Sequence, residues 1–146
     1  MVGALALVFV LAAPAGDASA KVTWTGIGSV KLGMSLSEVR AVLGRPSEVK
    51  EAHVPRARRY VYRRAKLVVT IADGRVVAIE TTSRVQRAPR GVRVGMSKRK
   101  MRRLVRGERC SDAEGRTVCS LERGTTVMDF IVRKRRVVAI GLSRVR

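Results

Sequence analysis

The segment Val30-Lys31-Leu32-Gly33-Met34-Ser35 returns as Val92-Arg93-Val94-Gly95-Met96-Ser97, and Arg75-Val76-Val77-Ala78-Ile79 returns as Arg136-Val137-Val138-Ala139-Ile140. Both matches keep one order and nearly one offset, which unrelated coincidences rarely do. Whatever the chain folds into must therefore use one local plan twice. The sequence reads as two tandem units, residues 21–87 and 88–146, joined around Gln86-Arg87-Ala88-Pro89-Arg90.

Each unit opens on a helix signal. Ser35 stands at an N-cap position with Glu38 three residues on, the pattern of a capping box, and Met34 with Val39 occupies the hydrophobic-staple positions. Leu36, Val39, Val42 and Leu43 recur at helical spacing and form the expected buried stripe, and Gly44 with Pro46 ends the helix. Three strand-like segments follow, Arg58 to Arg64, Lys66 to Ile71 and Val76 to Thr82, the last two joined by Asp73-Gly74, a tight-hairpin signal. Leu67, Val69 and Ile71 share one face, as do Val77 and Ile79. The second unit repeats this with a helix over Lys98 to Arg106, carrying Met101, Leu104 and Val105, then strands at Thr117–Glu122, Thr125–Val132 and Val137–Ser143. The expected fold class is α+β: two helix-plus-three-strand repeats forming antiparallel sheet, as one shared sheet or two packed ones, with short helices on one sheet face.

The order apolar-x-apolar-Gly-Met-Ser, helix, Gly-x-Pro, three strands resembles the SmpA/OmlA (BamE-like) unit. Its duplication is similar to the tandem architecture of beta-lactamase inhibitory proteins, and the likeness covers nearly the whole chain after residue 20. Members of this group are extracytoplasmic and act by protein–protein contact, which is what the resemblance implies here. The chain departs from them in lacking a lipid-attachment cysteine near its start and in carrying few aromatics after residue 20: Trp24, Tyr60, Tyr62 and Phe130.

Residues 1–20 read as a signal peptide. Val2 to Ala15 is an apolar run too short for the ~20 residues of a membrane-spanning helix, and Ala18-Ser19-Ala20 supplies the small-residue cleavage pattern. No Lys or Arg precedes the apolar run, so retention as an anchor stays open. After cleavage no transmembrane span remains, and the expected location is secreted or extracytoplasmic, in the cell envelope. The only two cysteines, Cys110 and Cys119, close a short loop and are expected to form a disulfide there, worth a little under ~3 kcal/mol in the loop-entropy model. Two buried thiols or a metal pair are the alternatives; His53 is the only histidine, which leaves a metal poorly served.

Charge carries the functional signal. The 146 residues hold 31 Lys and Arg against 11 Asp and Glu, a formal +20, far more than solubility requires, so an anionic partner is expected. The competing explanation is compositional: arginine-rich coding that solvates exposed faces. Between the two units the charge changes at the helix start and at the hairpin turn all run toward cation. Leu36, Ser37 and Glu38 become Lys98, Arg99 and Lys100, and the Asp73-Gly74 turn becomes Lys134-Arg135. Three cations against the positive end of a helix dipole are disfavoured by roughly 0.3–1 kcal/mol each, which suggests a compensating use. The candidate anion-binding residues are thus Lys98, Arg99, Lys100, Arg102 and Arg103 with Arg133, Lys134, Arg135 and Arg136. A solvated charged face is the alternative.

No catalytic constellation is present: the sequence has no Gly-x-Ser-x-Gly, His-Glu-x-x-His or phosphate-cradling Gly-x-x-x-x-Gly-Lys motif, and neither cofactor nor metal is expected. Tyr60 and Tyr62 alternate with Arg59 and Arg63, an arrangement that can stack on single-stranded bases. Packing at a sheet edge accounts for the tyrosines better, and secretion disfavours nucleic acid as a partner. The reading is therefore a secreted, non-enzymatic binding module for an anionic envelope polymer, lipid surface or acidic protein. The alternative is an inhibitor or assembly factor acting through its sheet face. The sequence sets no oligomeric state.

Overall fold

The computed structural model describes residues 21–145; the expected signal peptide lies outside them. A short hairpin, β1 (Gly26–Ile27) and β2 (Val30–Lys31), precedes α1 (Leu36–Leu43) and four strands: β3 (Glu48–Glu51), β4 (Ala57–Tyr62), β5 (Leu67–Ala72) and β6 (Arg75–Thr81). A 3-10 turn at Pro89–Gly91 leads to α2 (Lys98–Leu104) and four more strands: β7 (Arg109–Ala113), β8 (Arg116–Arg123), β9 (Thr126–Arg133) and β10 (Arg136–Arg144). All eight longer strands lie in one antiparallel sheet, ordered β3-β4-β5-β6-β10-β9-β8-β7.

The expected pair of α+β helix-plus-three-strand repeats is thereby corrected. Strands make up 49% of the structure and helices 14%, so the fold is mainly β, and its eight longer strands form one sheet, with β1 and β2 a separate two-stranded hairpin. Four strands rather than three follow each helix. The extra ones, β3 and β7, are Glu-Val-Lys-Glu and Arg-Cys-Ser-Asp-Ala at the two edges of the sheet. Neither alternates apolar with polar residues. Edge strands held by a backbone ladder need no such pattern, and charge on an edge discourages pairing with other chains. The sheet is continuous because β6 pairs with β10, strands far apart in sequence, with Thr81 opposite Ile140 and Ile79 opposite Leu142.

Strand parity puts Tyr60, Tyr62, Leu67, Val69 and Ile79 on the same face as Ile140, Leu142, Met128, Phe130 and Cys119, and all are buried. Val39 of α1, Met101 of α2 and the Val22, Ile27 and Val30 side chains of the leading segment join this core. The tyrosines are 8% and 3% exposed, core residues rather than edge packing, and so unable to stack on a base. Val42, expected in the α1 stripe, is 46% exposed: in so short a helix the sheet reaches only one line of residues.

The helix starts form as expected. Ser35 Oγ accepts from the Glu38 amide, and Glu38 Oε2 accepts from the Ser35 amide at 2.7 Å, completing the capping box. These bonds, with Arg75 adding a smaller favourable field, hold the Glu38 carboxyl below its usual range. Ser97 Oγ caps α2 by accepting from the Lys100 amide, but Lys100 has no carboxylate to return the bond. α2 stops at Leu104, short of Arg106, where Val105 turns to extended backbone.

Cys110 and Cys119 are disulfide-bonded, directly opposite one another on β7 and β8. The bridge fastens a strand whose five residues are all exposed.

Candidate anion-binding site

The β9–β10 hairpin turns through Lys134 and Arg135 at φ 48° and 63°. Two successive left-handed residues make a type I′ turn, which matches strand twist but favours Asn and Gly. The β5–β6 hairpin uses Asp73 and Gly74 in the same way, at φ 51° and 75°. The start of α2 is clipped to the β9–β10 tip by backbone: the Lys98 amide donates to Arg135 O at 2.8 Å, Gly95 N to Val137 O at 2.7 Å and Val137 N to Met96 O at 2.8 Å. Those bonds bring together cations that lie more than thirty positions apart in sequence.

A groove of about 780 Å³ is lined by Ser97, Lys98, Arg99, Arg102, Arg103 and Arg135, without a carboxylate. On the other side of Ser97 a second groove, about 550 Å³, is lined by Arg84, Arg93, Lys100 and Arg136 around the Val94-Gly95-Met96-Ser97 turn. A third, of about 400 Å³, sets Lys98, Lys134, Arg135 and Arg116 against Asp112 and Glu114. Of the nine cations expected at the site, Arg133 lines none of the three grooves. Arg136 is partly committed to structure, donating to Gly95 O at 3.0 Å. Arg102 alone among the nine is ion-paired within the described residues, its Nε 3.0 Å from Glu108 Oε1.

Arg84 and Arg93 escaped the sequence reading. Arg93 stands in the twice-used segment, at the position that Lys31 holds in its first copy, and that was a signal. Arg84 gave none, because the path of the chain leaving β6 brings it over Gly95, where a side-chain Cβ would meet its Nε at 3.7 Å.

Among the described residues, no helix covers the opposite face of the sheet. A groove of about 580 Å³ crosses it, lined among others by Val68, Thr70, Ala78, Ile131, Gly141 and Ser143, with Glu80 and Asp129 on either side of Gly141. Among the described residues no group of three His, Cys, Asp or Glu side chains is placed to hold a metal ion, and no helix is long and apolar enough to cross a membrane.

These features define an eight-stranded antiparallel sheet with two short helices on one face and a cation-lined surface where α2 meets the β9–β10 turn. The fold recurs in solved structures. The uncharacterized protein YfeY from Escherichia coli superposes with a TM-score of 0.61 at 19% identity, over 85% of this chain and 99% of that one. An extracellular protein containing a SCP domain from Bacillus anthracis superposes with a TM-score of 0.59, and a cysteine-rich secretory protein from Staphylococcus aureus with 0.55. Each is 10% identical over 77% of this chain. This chain spans 44% of the length of each of those two proteins. At such identities the likeness is one of fold alone. No protein-family model and no curated protein matches the sequence. The expected SmpA/OmlA and beta-lactamase-inhibitor assignment is corrected by these neighbours and by the single sheet. The Gly-Met-Ser motif encodes a turn, a staple and a cap, local needs that many folds share, and says nothing about which strands pair.

Proposed function

We propose that this chain is an extracytoplasmic, non-catalytic binding module that holds an anionic component of the cell envelope on the surface formed by α2 and the β9–β10 hairpin. One observation carries the reading: five cations from two distant segments, Lys98, Arg99, Arg102, Arg103 and Arg135, line one groove with no carboxylate in its lining, and among the described residues only Arg102 of the five is ion-paired, with Glu108. Gathering like charges destabilises a compact state, so a surface that gathers them is best accounted for by a ligand that neutralises them. The Cys110–Cys119 bridge supports an oxidising compartment.

The test is retention of the oxidised protein on its own envelope fraction, eluted with a salt gradient. Exposed charges are screened beyond ~8–10 Å at physiological ionic strength, so polymer or lipid should release at moderate salt. A second reading, protein contact through the sheet face opposite α1 and α2 as an inhibitor or assembly factor, is favoured by the groove of about 580 Å³ that crosses that face. Retention of one discrete protein at high salt would select it instead.

A further inference from the structure

The chain contains two Gly-Met-Ser turns, and comparing them isolates a missing anion. At the first turn the Arg144 guanidinium lies 3.9 Å from where a Cβ on Gly33 would stand, and Arg75 Nη1 donates to Gly33 O at 3.3 Å. A carboxylate of the chain itself, Glu38, completes that neighbourhood by accepting from the Ser35 amide. At the second turn Arg84 takes the place of Arg144 over Gly95, and Arg136 donates to Gly95 O as Arg75 does to Gly33 O. Position 100, however, is lysine, so the carboxylate is replaced by one more cation. Arg84, Arg93, Lys100 and Arg136 line the resulting groove with no acidic residue among them.

Resting on the basic-surface reading above, we propose that this second groove is a phosphate site, and that it forms with the Lys98–Arg103 groove one continuous track for a linear polymer carrying a phosphate on every repeat. Ser97 lines both grooves. Together they place cations on both sides of a helix whose seven residues run about 10 Å, a stretch suited to several charged repeats rather than to one carboxylate side chain. Guanidinium forks match phosphate oxygens in pairs. No aromatic residue lines either groove, so the stacking platform that single-stranded nucleic acid uses is missing.

The experiment is isothermal titration of the full chain, disulfide intact, with inorganic triphosphate, with long-chain polyphosphate and with phosphatidylglycerol vesicles. The variants are Arg84→Ala and Lys100→Glu, the latter placing a carboxylate where Glu38 stands in the other turn. Thermal melting and Trp24 emission confirm that each variant is folded. The proposal expects long-chain polyphosphate to bind wild type far more tightly than triphosphate does. It also expects Lys100→Glu to weaken the long chain about tenfold or more, and Arg84→Ala to do so severalfold, with a shallower salt dependence. If both folded variants hold long-chain polyphosphate as wild type does, the second groove is not on the track, while the basic surface stands. Binding to vesicles but to neither phosphate overturns the polymer in favour of a lipid surface. Binding to none of the three probes removes both this proposal and the reading beneath it.

Discussion

Replacing Lys134 by Asn and Arg135 by Gly should make the protein more stable and a weaker anion binder at once. Both residues sit in left-handed backbone, at φ 48° and 63°, where a residue with an ordinary side chain is disfavoured by roughly 1–2 kcal/mol. Asn tolerates that region better, and Gly adopts it freely. Gly also loosens the unfolded chain, which returns about 0.4–1 kcal/mol. The net gain for the pair is on the order of 1 kcal/mol, or about 4 °C in melting temperature for a chain of this size. The bond from the Lys98 amide to Arg135 O is made by backbone and survives both changes. Removing two cations should lower the slope of log affinity against log salt by up to ~1.5 for a linear polyanion. Circular-dichroism melting of the oxidised protein reads the first effect, and polyphosphate titration at several salt concentrations reads the second. A melting temperature that stays level or falls would refute the strain argument, and an unchanged salt slope would remove the turn from the binding surface.

Two further outcomes are expected. Reduction of Cys110–Cys119 should release β7, whose residues are all exposed, at a loss just under about 3 kcal/mol; hydrogen exchange should quicken at Ser111–Ala113 before the rest of the sheet, and uniform protection after reduction would contradict this. The Tyr62 hydroxyl is buried with no hydrogen-bond partner among the described residues, so Tyr62→Phe should raise stability by about 1 kcal/mol. Burial also pushes the Tyr62 phenol up from its ordinary value, against a smaller opposing pull from Arg40. The folded state therefore keeps its proton longer than the unfolded chain does, and stability should fall as pH climbs through the usual tyrosine range. Tyr62→Phe should flatten that fall, and an unaltered alkaline profile would count against it.

Local chemistry was the legible part of this sequence. Ser35 and Ser97 cap helices, Asp73-Gly74 makes the tight hairpin, the cysteines pair, and Leu67, Val69 and Ile71 are buried, because each depends on near neighbours or strand parity. β3 and β7 were not legible, since an edge strand with both faces in solvent leaves no periodic mark. Nor was the single sheet, which hinges on the pairing of Thr81 with Ile140 across 59 positions, a choice that no short motif records. Four strands where three were expected, and a mainly β chain where α+β was expected, follow from those two omissions. At the candidate site, comparison of the twice-used segment identified Lys98–Lys100 and Lys134-Arg135 as neighbours in chemistry, and backbone bonds make them neighbours in space. Arg84 was missed because only the course of the chain after β6 carries it to Gly95.

The pairing of β6 with β10 also bears on the order in which the sheet is made. Every other ladder in it joins strands that follow one another in the chain, from β3 through β6 and from β7 through β10. Such meanders close small loops and assemble early, whereas a ladder between distant strands waits on the loss of chain entropy that closure requires. The register across β6 and β10 matches only Ile140–Ser143 with Thr81–Ala78, half the length of the β9–β10 ladder. The seam is therefore both the late step and a narrow one, and side chains such as Ile79 and Leu142, which meet across it, become the residues whose packing sets how fast the two meanders commit to one another.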